Sequence, residues 1–296
     1  MWALTKSAAA AWIDDYAPSM GAAIAYYTIF SLAPLLIIVI AVAGLVFGAD
    51  AARGEIVGQL RGLIGDEGAV AIQGLLKSAS HPATSAIASI VSFGTLAFGA
   101  TSIFSELQSD LDRIWRAPAT QMKTGIWALV RARLLTFGLI VAVGFLLLVS
   151  LVVSAGVAAL GRWWGSYFGA WEAVLQTVNL VVGFVIITAL FALIYKILPR
   201  VHVAWRDVWV GAAVTSVLFN VGKLGIALYL GKSGLASGFG AAGSIVLLLA
   251  WVYYSSQIFL FGAEFTWVFA HRHGSRAGAV PPGAAPAVPR QSNPAA

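Results

Sequence analysis

The chain contains no cysteine among its 296 residues, which excludes disulfide bonds, thiolate metal sites and cysteine nucleophiles. Charge is also scarce: Asp, Glu, Lys and Arg make up 10% of the chain, whereas soluble domains carry about 25%. Hydrophobic residues make up 60%. So little charge cannot cover a water-facing surface, and we therefore expect lipid to surround much of the protein.

Six stretches with almost no charge are each long enough to cross a bilayer, which takes about 20 residues. Unpaired backbone groups are too costly in hydrocarbon and no alternating barrel pattern occurs, so we predict helices. The sequence thus predicts an all-α membrane protein with one membrane domain over 1–272. Its six transmembrane helices are expected at about 21–48, 83–109, 134–161, 172–196, 207–230 and 239–270.

The orientation follows from the basic residues in the short connections. Of the 18 Lys and Arg residues, 12 lie before span 1, between spans 2 and 3, between spans 4 and 5, and after span 6. Five lie in the other connections, and Lys223 lies inside a span. Because basic loops stay in the cytoplasm, this bias places both termini there, as an even number of spans also requires.

The connection between spans 1 and 2 is the long outer loop. Its apolar residues recur at helical spacing in two sets, around Ile56–Ile64 and Ile72–Leu76, with Gly65 and Gly68 between them. We predict two short amphipathic helices on the outer surface, and an ordinary packed loop is the alternative. Residues 273–296, rich in Gly, Ala and Pro, are expected to form a disordered cytoplasmic tail.

Polar residues inside the apolar spans are the candidates for function, because such positions are costly and usually face protein or water. Tyr253, Gln257 and Glu264 are spaced to share one helix face, and a Lys223–Glu264 ion pair is one arrangement that we consider. Pro34 is expected to interrupt span 1. The predicted polar pocket consists of Tyr26, Tyr27, Ser31, Asn220, Lys223, Tyr253, Gln257 and Glu264. The positions predicted to allow helix bending are Pro34, Gly238, Gly240 and Gly243.

A structural role explains the same polar residues about as well. Glu264 then forms a salt bridge near the basic tail, Lys223 extends toward the outer headgroups, and the tyrosines anchor span ends. Gly238, Gly240 and Gly243 spell G-x-G-x-x-G, but they open an apolar span, where small residues favour close helix packing over dinucleotide binding. The four histidines form no convincing metal set, so we predict no metal and no cofactor.

Several motifs, taken in order, resemble the YihY/BrkB family of bacterial inner-membrane proteins over about residues 8 to 270. The first helix carries Ala25-Tyr26-Tyr27-Thr28 and Ser31-Leu32-Ala33-Pro34, and Leu111-Asp112-Arg113-Ile114-Trp115 follows the second. Leu198-Pro199, Trp205-Arg206 and Gly211-Ala212 match the connection between the fourth and fifth helices. The last helix carries Gly240-Ala241-Ala242-Gly243-Ser244, Trp251-Val252-Tyr253-Tyr254 and Gly262-Ala263-Glu264-Phe265.

The resemblance implies six helices in a bacterial inner membrane and supplies no settled activity. The family has carried the name ribonuclease BN and a virulence label. Metal-dependent RNA hydrolysis needs clustered carboxylates or histidines, which this sequence lacks, so we predict neither an enzyme nor a nucleic-acid partner. The leading hypothesis is a transporter or permease for an unknown substrate. The alternative is a non-transporting envelope scaffold or lipid-binding protein. Membrane lipids are the expected partners, and a homo-oligomer is left open.

Overall fold

The computed structural model describes residues 1–79, 102–118, 171–233 and 243–277, with six isolated positions between 138 and 156. Every regular element within these residues is an α-helix. The helices are α1 (Trp2–Asp14), α2 (Ala17–Phe47), α3 (Ala49–Ala79), α4 (102–114), α5 (Trp171–Ile197), α6 (Trp205–Ser233) and α7 (Gly243–Arg272). Most of the predicted spans 83–109 and 134–161 lies outside these residues. The bending positions Gly238 and Gly240 lie outside them entirely.

Helix α1 was not foreseen from the sequence. Leu4 and Ala8 are buried against Phe265 and Val268, so this short helix packs across the end of α7. The chain then turns at Tyr16, whose φ of 60° lies in the left-handed region that few side chains adopt. This turn allows α2 to begin directly after α1.

Helix α2 continues through Pro34, so the predicted interruption of span 1 is wrong. Proline removes one backbone donor, but the remaining hydrogen bonds keep the helix intact up to Phe47. Membrane helices tolerate such a residue when neighbouring elements compensate. The helix begins at Ala17, slightly before the predicted start.

The prediction of two short helices between spans 1 and 2 is also wrong, because α3 is one continuous helix of 31 residues. Gly65 and Gly68 lie inside it. A glycine costs a helix only about 1 kcal/mol relative to alanine, and packing offsets that cost. Ile72 and Leu76 of α3 are buried in one cluster with residues of α2 and α7, so the helix is part of the bundle.

Helices α5, α6 and α7 pack most closely where glycines face side chains of the next helix. A methyl group added at Gly211 of α6 would overlap Thr266 of α7, and one at Gly262 of α7 would overlap Thr215 of α6. These paired contacts set α6 and α7 antiparallel. Tyr195 of α5 closes the group, because its hydroxyl donates to the Phe259 carbonyl at 2.7 Å and lies 3.1 Å from Thr215 Oγ1.

Three helical segments among the described residues are long and apolar enough to cross a membrane: Leu180–Ile197, Trp205–Gly225 and Ile245–Arg272. The outer faces of α5 and α6 carry large apolar side chains that the protein leaves uncovered. Leu180 is 71% exposed, and Val221 and Leu224 are each 65% exposed. A continuous apolar face of this kind is suited to lipid rather than to water.

Candidate functional site

Four segments that are far apart in the sequence meet at one end of the bundle, which we call the basic end. Its arginines contact aromatic rings and backbone carbonyls from the ends of other helices. Arg276 lies 5.2 Å from the centre of the Trp115 ring, and Arg206 donates to the His273 carbonyl at 3.1 Å. The described parts of the connections around Arg116, Arg206 and Arg276 therefore lie at the same end of the bundle.

The basic end is held by a clamp between α4 and the loop that joins α5 to α6. Asp112 Oδ1 accepts a hydrogen bond from the backbone N–H of Arg200 at 2.7 Å, and its other oxygen lies 3.4 Å from the Arg200 guanidinium. Gln108 donates to the Leu198 carbonyl at 2.8 Å. Burial raises the pKa of Asp112, while the Arg200 N–H and guanidinium oppose that rise.

A second contact fastens the residues after α7 to the start of α6. Asp207 is fully buried, and its carboxylate accepts hydrogen bonds from both the backbone N–H and the hydroxyl of Ser275. Arg276 donates to the His202 carbonyl at 3.0 Å. Residues 273–277 therefore belong to the folded part, although the sequence placed them in the disordered tail; residues 278–296 lie outside the described residues.

Helix α4 ends in a motif that aims an arginine at α7. Ala117 N–H donates to the Asp112 carbonyl and Arg116 N–H to the Arg113 carbonyl, the two bonds of a Schellman motif. Arg116 takes the left-handed position, with φ of 50°, where glycine is usual. Its guanidinium lies 4.7 Å from the centre of the Trp267 ring.

Glu264 is the most unusual side chain at this end, because it is a carboxylic acid with no exposed surface. Neither of its oxygens accepts a hydrogen bond from a donor in the described part of the chain. The charged groups near enough to act on it are Asp15, Asp14 and Arg116. Two carboxylates are both acceptors, so a bond between them requires one proton.

A column of polar side chains leads along α7 to Glu264. Gln257 lies seven residues before it, two helical turns away on the same face, and Tyr253 lies one further turn back. Both amide atoms of Gln257 are buried without a partner among the described residues. Gly21 of α2 packs directly against this amide. Buried polar atoms without partners cost about 1–3 kcal/mol each unless water or a ligand satisfies them.

The other residues of the predicted pocket do not join this column. Tyr26 is 59% exposed, and its ring centre lies 4.9 Å from that of Phe30 on the same helix; Tyr27 is 38% exposed. Ser31 is buried, and its hydroxyl has no partner among the described residues. The Asn220 amide donates to the Ser216 carbonyl one turn earlier on α6.

A Lys223–Glu264 ion pair is excluded by the register of the two helices. Gly222, next to Lys223, packs against Tyr254 and Ile258 of α7. Glu264 lies ten positions beyond Tyr254, which is about 15 Å farther along the helix axis. The two charges therefore lie at different levels of the bundle.

Sequence reasoning missed the acidic residues that surround the basic end. Asp110 is 5% exposed, one of its oxygens has no partner among the described residues, and burial together with nearby Glu106 raises its pKa to about 7. Asp14 and Asp15 stand just before an apolar run, and this position was the available signal for them. Their approach to Glu264 depends on tertiary contacts that no local pattern reveals.

The carboxyl groups at this end do not form a metal centre in the part of the chain that the structure describes. No three His, Asp or Glu side chains there are placed to hold an ion. A pair of carboxyl groups beside one arginine is better suited to holding and releasing a proton than to binding a divalent cation, which prefers six or more oxygen ligands.

The long apolar helices and their uncovered apolar faces define the class of protein as a helical membrane protein. Comparison with known families identifies it further: residues 8–285 match the family described as virulence factor BrkB, and the chain belongs to that family. The resemblance seen in the sequence motifs is thereby confirmed.

Relatives from several bacteria are named as membrane proteins. One from Stenotrophomonas maltophilia is 29% identical over 85% of this chain and 57% of its own length. One from Rhodospirillum centenum is 29% identical over 84% of this chain and 53% of its own length. The YihY protein of Salmonella typhimurium is 34% identical over 54% of this chain and 52% of its own length.

The chain thus spans little more than half the length of these curated relatives. All three are named as UPF0761 membrane proteins, and none of these names states an enzymatic activity. No solved structure matches the chain.

Proposed function

We propose that the chain is a permease of the bacterial inner membrane in which Glu264 carries a proton that is coupled to an unknown substrate. The observation that supports this proposal most strongly is the polar column of Tyr253, Gln257 and Glu264 on α7. The buried polar atoms of Gln257 and Glu264 find no hydrogen-bond partner among the described residues, and Asp15 is among the charged groups near Glu264. A proton shared between Glu264 and Asp15 is released when one group moves away from the other.

The topology that we propose has six transmembrane helices with both termini in the cytoplasm. The collection of the basic connections at one end of the bundle supports it, because such loops stay on the cytoplasmic side. In this topology the described spans are α2, α5, α6 and α7. Helix α3 carries four acidic and three basic residues, so we place it at the outer surface rather than among the membrane spans.

Proton flux into proteoliposomes tests the permease. A potassium gradient with valinomycin drives protons inward, a trapped pH dye reports them, and a small-molecule bacterial extract is added in a second set. We expect proton flux with the wild-type protein in at least one of the two sets, with or without the extract. We expect Glu264→Gln to lose this flux, because the amide keeps the shape of the side chain but cannot exchange a proton. Lys6→Gln is the control, because it removes an exposed charged side chain from α1. Equal flux in wild type and Glu264→Gln, or none above empty liposomes, contradicts the proposal.

A non-transporting scaffold or lipid-binding protein is the second candidate. The close packing of α5, α6 and α7 favours it, since glycine–threonine contacts and the Tyr195 hydrogen bonds tie these three helices together. In a scaffold, Glu264 is a sealed structural group that water does not reach. The two candidates therefore differ in whether reagents dissolved in water reach the polar column.

A further inference from the structure

A groove of about 780 Å³ runs along α3, away from the polar column of α7. Side chains from both halves of the helix line it, including Asp50 and Arg53 near the start and Gln73 and Lys77 near the end. Helix α3 buries its apolar residues against Leu248 and Val252, in the first third of α7, whereas Glu264 lies in the last third. The groove and the carboxyl pair therefore lie in different halves of the bundle.

Charge in the groove is mainly positive. Among the described lining residues, Arg53, Arg61 and Lys77 contribute three positive charges, and Asp50 contributes one negative charge. All four side chains are exposed, as the lining of an open groove must be. The groove therefore attracts anions, and Asp50 opposes that attraction.

The floor of the groove is apolar and made wider by glycine. Val57 and Leu76 line it and are each at least 95% buried. Gly54 and Gly58 stand one turn apart beside Val57, and a methyl group added at either glycine would meet no atom of the described structure within 4 Å. Glycine in a helix interior lowers helix stability by about 1 kcal/mol relative to alanine. At these two positions the missing side chains leave space in the groove.

We propose that this groove binds phosphate-bearing anions, with the phosphate held at Arg53 near the start of α3 or at Lys77 near its end, and with the apolar floor beneath the attached carbon chain. A phosphate offers several acceptor oxygens, and arginine pairs with two of them at once while lysine acts as a point charge. An anionic phospholipid headgroup and a free phosphate compound share this chemistry. The inference stands independently of proton transport by Glu264.

Two binding measurements on the detergent-purified protein test the groove and distinguish the two ligand sources. Native mass spectrometry counts bound phosphatidylglycerol against phosphatidylcholine, and calorimetry follows inorganic phosphate. We expect the double variant Arg53→Gln/Lys77→Gln to weaken phosphatidylglycerol binding by about fivefold for each cation removed. Asp50→Asn is expected to strengthen binding severalfold, a gain that a misfolded protein cannot produce.

The matched control is Lys6→Gln/Arg272→Gln, which removes two exposed cations from α1 and α7 rather than from the groove. If phosphatidylglycerol binding changes in the groove variants but not in this control, the site binds a lipid headgroup. The same response from inorganic phosphate assigns it to a free phosphate compound. If neither ligand distinguishes the groove variants from the control, or if Asp50→Asn does not tighten binding, the proposal is wrong.

Discussion

Replacing Gly262 by alanine should loosen the bundle that positions Glu264, which lies two residues farther along α7. The added methyl carbon would lie 2.6 Å from the Tyr195 hydroxyl and 2.9 Å from Thr215 Cβ, and it would overlap Thr215 Oγ1. Ordinary van der Waals contacts of carbon are about 3.5–4.0 Å, so α6 and α7 must separate or both side chains must rotate. Overpacking of this kind costs about 1–3 kcal/mol.

The cost includes hydrogen bonds as well as contacts. Displacement of Tyr195 breaks its bonds to the Phe259 carbonyl and to Thr215, and interhelical bonds in membrane proteins contribute about 0.6 kcal/mol on average. We therefore expect Gly262→Ala to lose about 2–3 kcal/mol in total. The double variant Gly262→Ala/Thr215→Ala should lose less than the sum of its single changes, because the shorter side chain removes one overlap.

Thermal melting in detergent, followed by size-exclusion chromatography, measures these effects. Gly183→Ala is the control, since a methyl group at Gly183 of α5 meets nothing within 4 Å, and it should leave the midpoint unchanged or slightly raised. A midpoint for Gly262→Ala equal to that of Gly183→Ala would refute the close approach of α6 and α7. Strict additivity in the double variant would refute the named overlap with Thr215.

Two further predictions concern the basic end. The pKa of Asp110 is raised to about 7 in the folded protein. Between pH 4 and pH 7 the folded state therefore binds more protons than the unfolded state. The free energy of unfolding then falls as the pH rises. Asp110→Asn should flatten the decline of the melting midpoint across this window, and an unchanged slope would contradict the burial of that carboxyl group. Asp207→Ala should release Ser275 and speed tryptic cleavage after Arg276, seen as loss of the C-terminal fragment. Cleavage at the wild-type rate would show that this contact does not hold residues 273–277.

Much of the helical layout follows from local pattern, because charge-free stretches mark α5, α6 and α7 closely. The errors occur where tertiary packing outweighs local preference. Pro34 and the glycines inside α3 each weaken a helix by a small amount, and contacts with neighbouring helices offset that loss. The short helix α1 escaped notice because its buried face consists of little more than Leu4 and Ala8.

The candidate site shows the same division. Spacing along one helix relates Tyr253, Gln257 and Glu264, since helical periodicity is a local property, but Tyr253 is 39% exposed whereas Glu264 is buried. It gave no information about the partners of Glu264, because Asp15 is about 250 residues away in the chain. The register of α6 against α7 also separates Lys223 from Glu264, and glycine contacts that spacing alone does not reveal set that register.

The most direct measurement of the central claim is the reactivity of single cysteines along the polar column. The natural chain has no cysteine, so a membrane-impermeant thiol reagent reports only the introduced residue. Gln257→Cys and Glu264→Cys should react in membrane vesicles, whereas Phe259→Cys, on the packed side of α7 that faces Tyr195 of α5, should not. If the cysteines at 257 and 264 are as unreactive as the one at 259, the column is sealed and the protein is not a permease of the kind proposed.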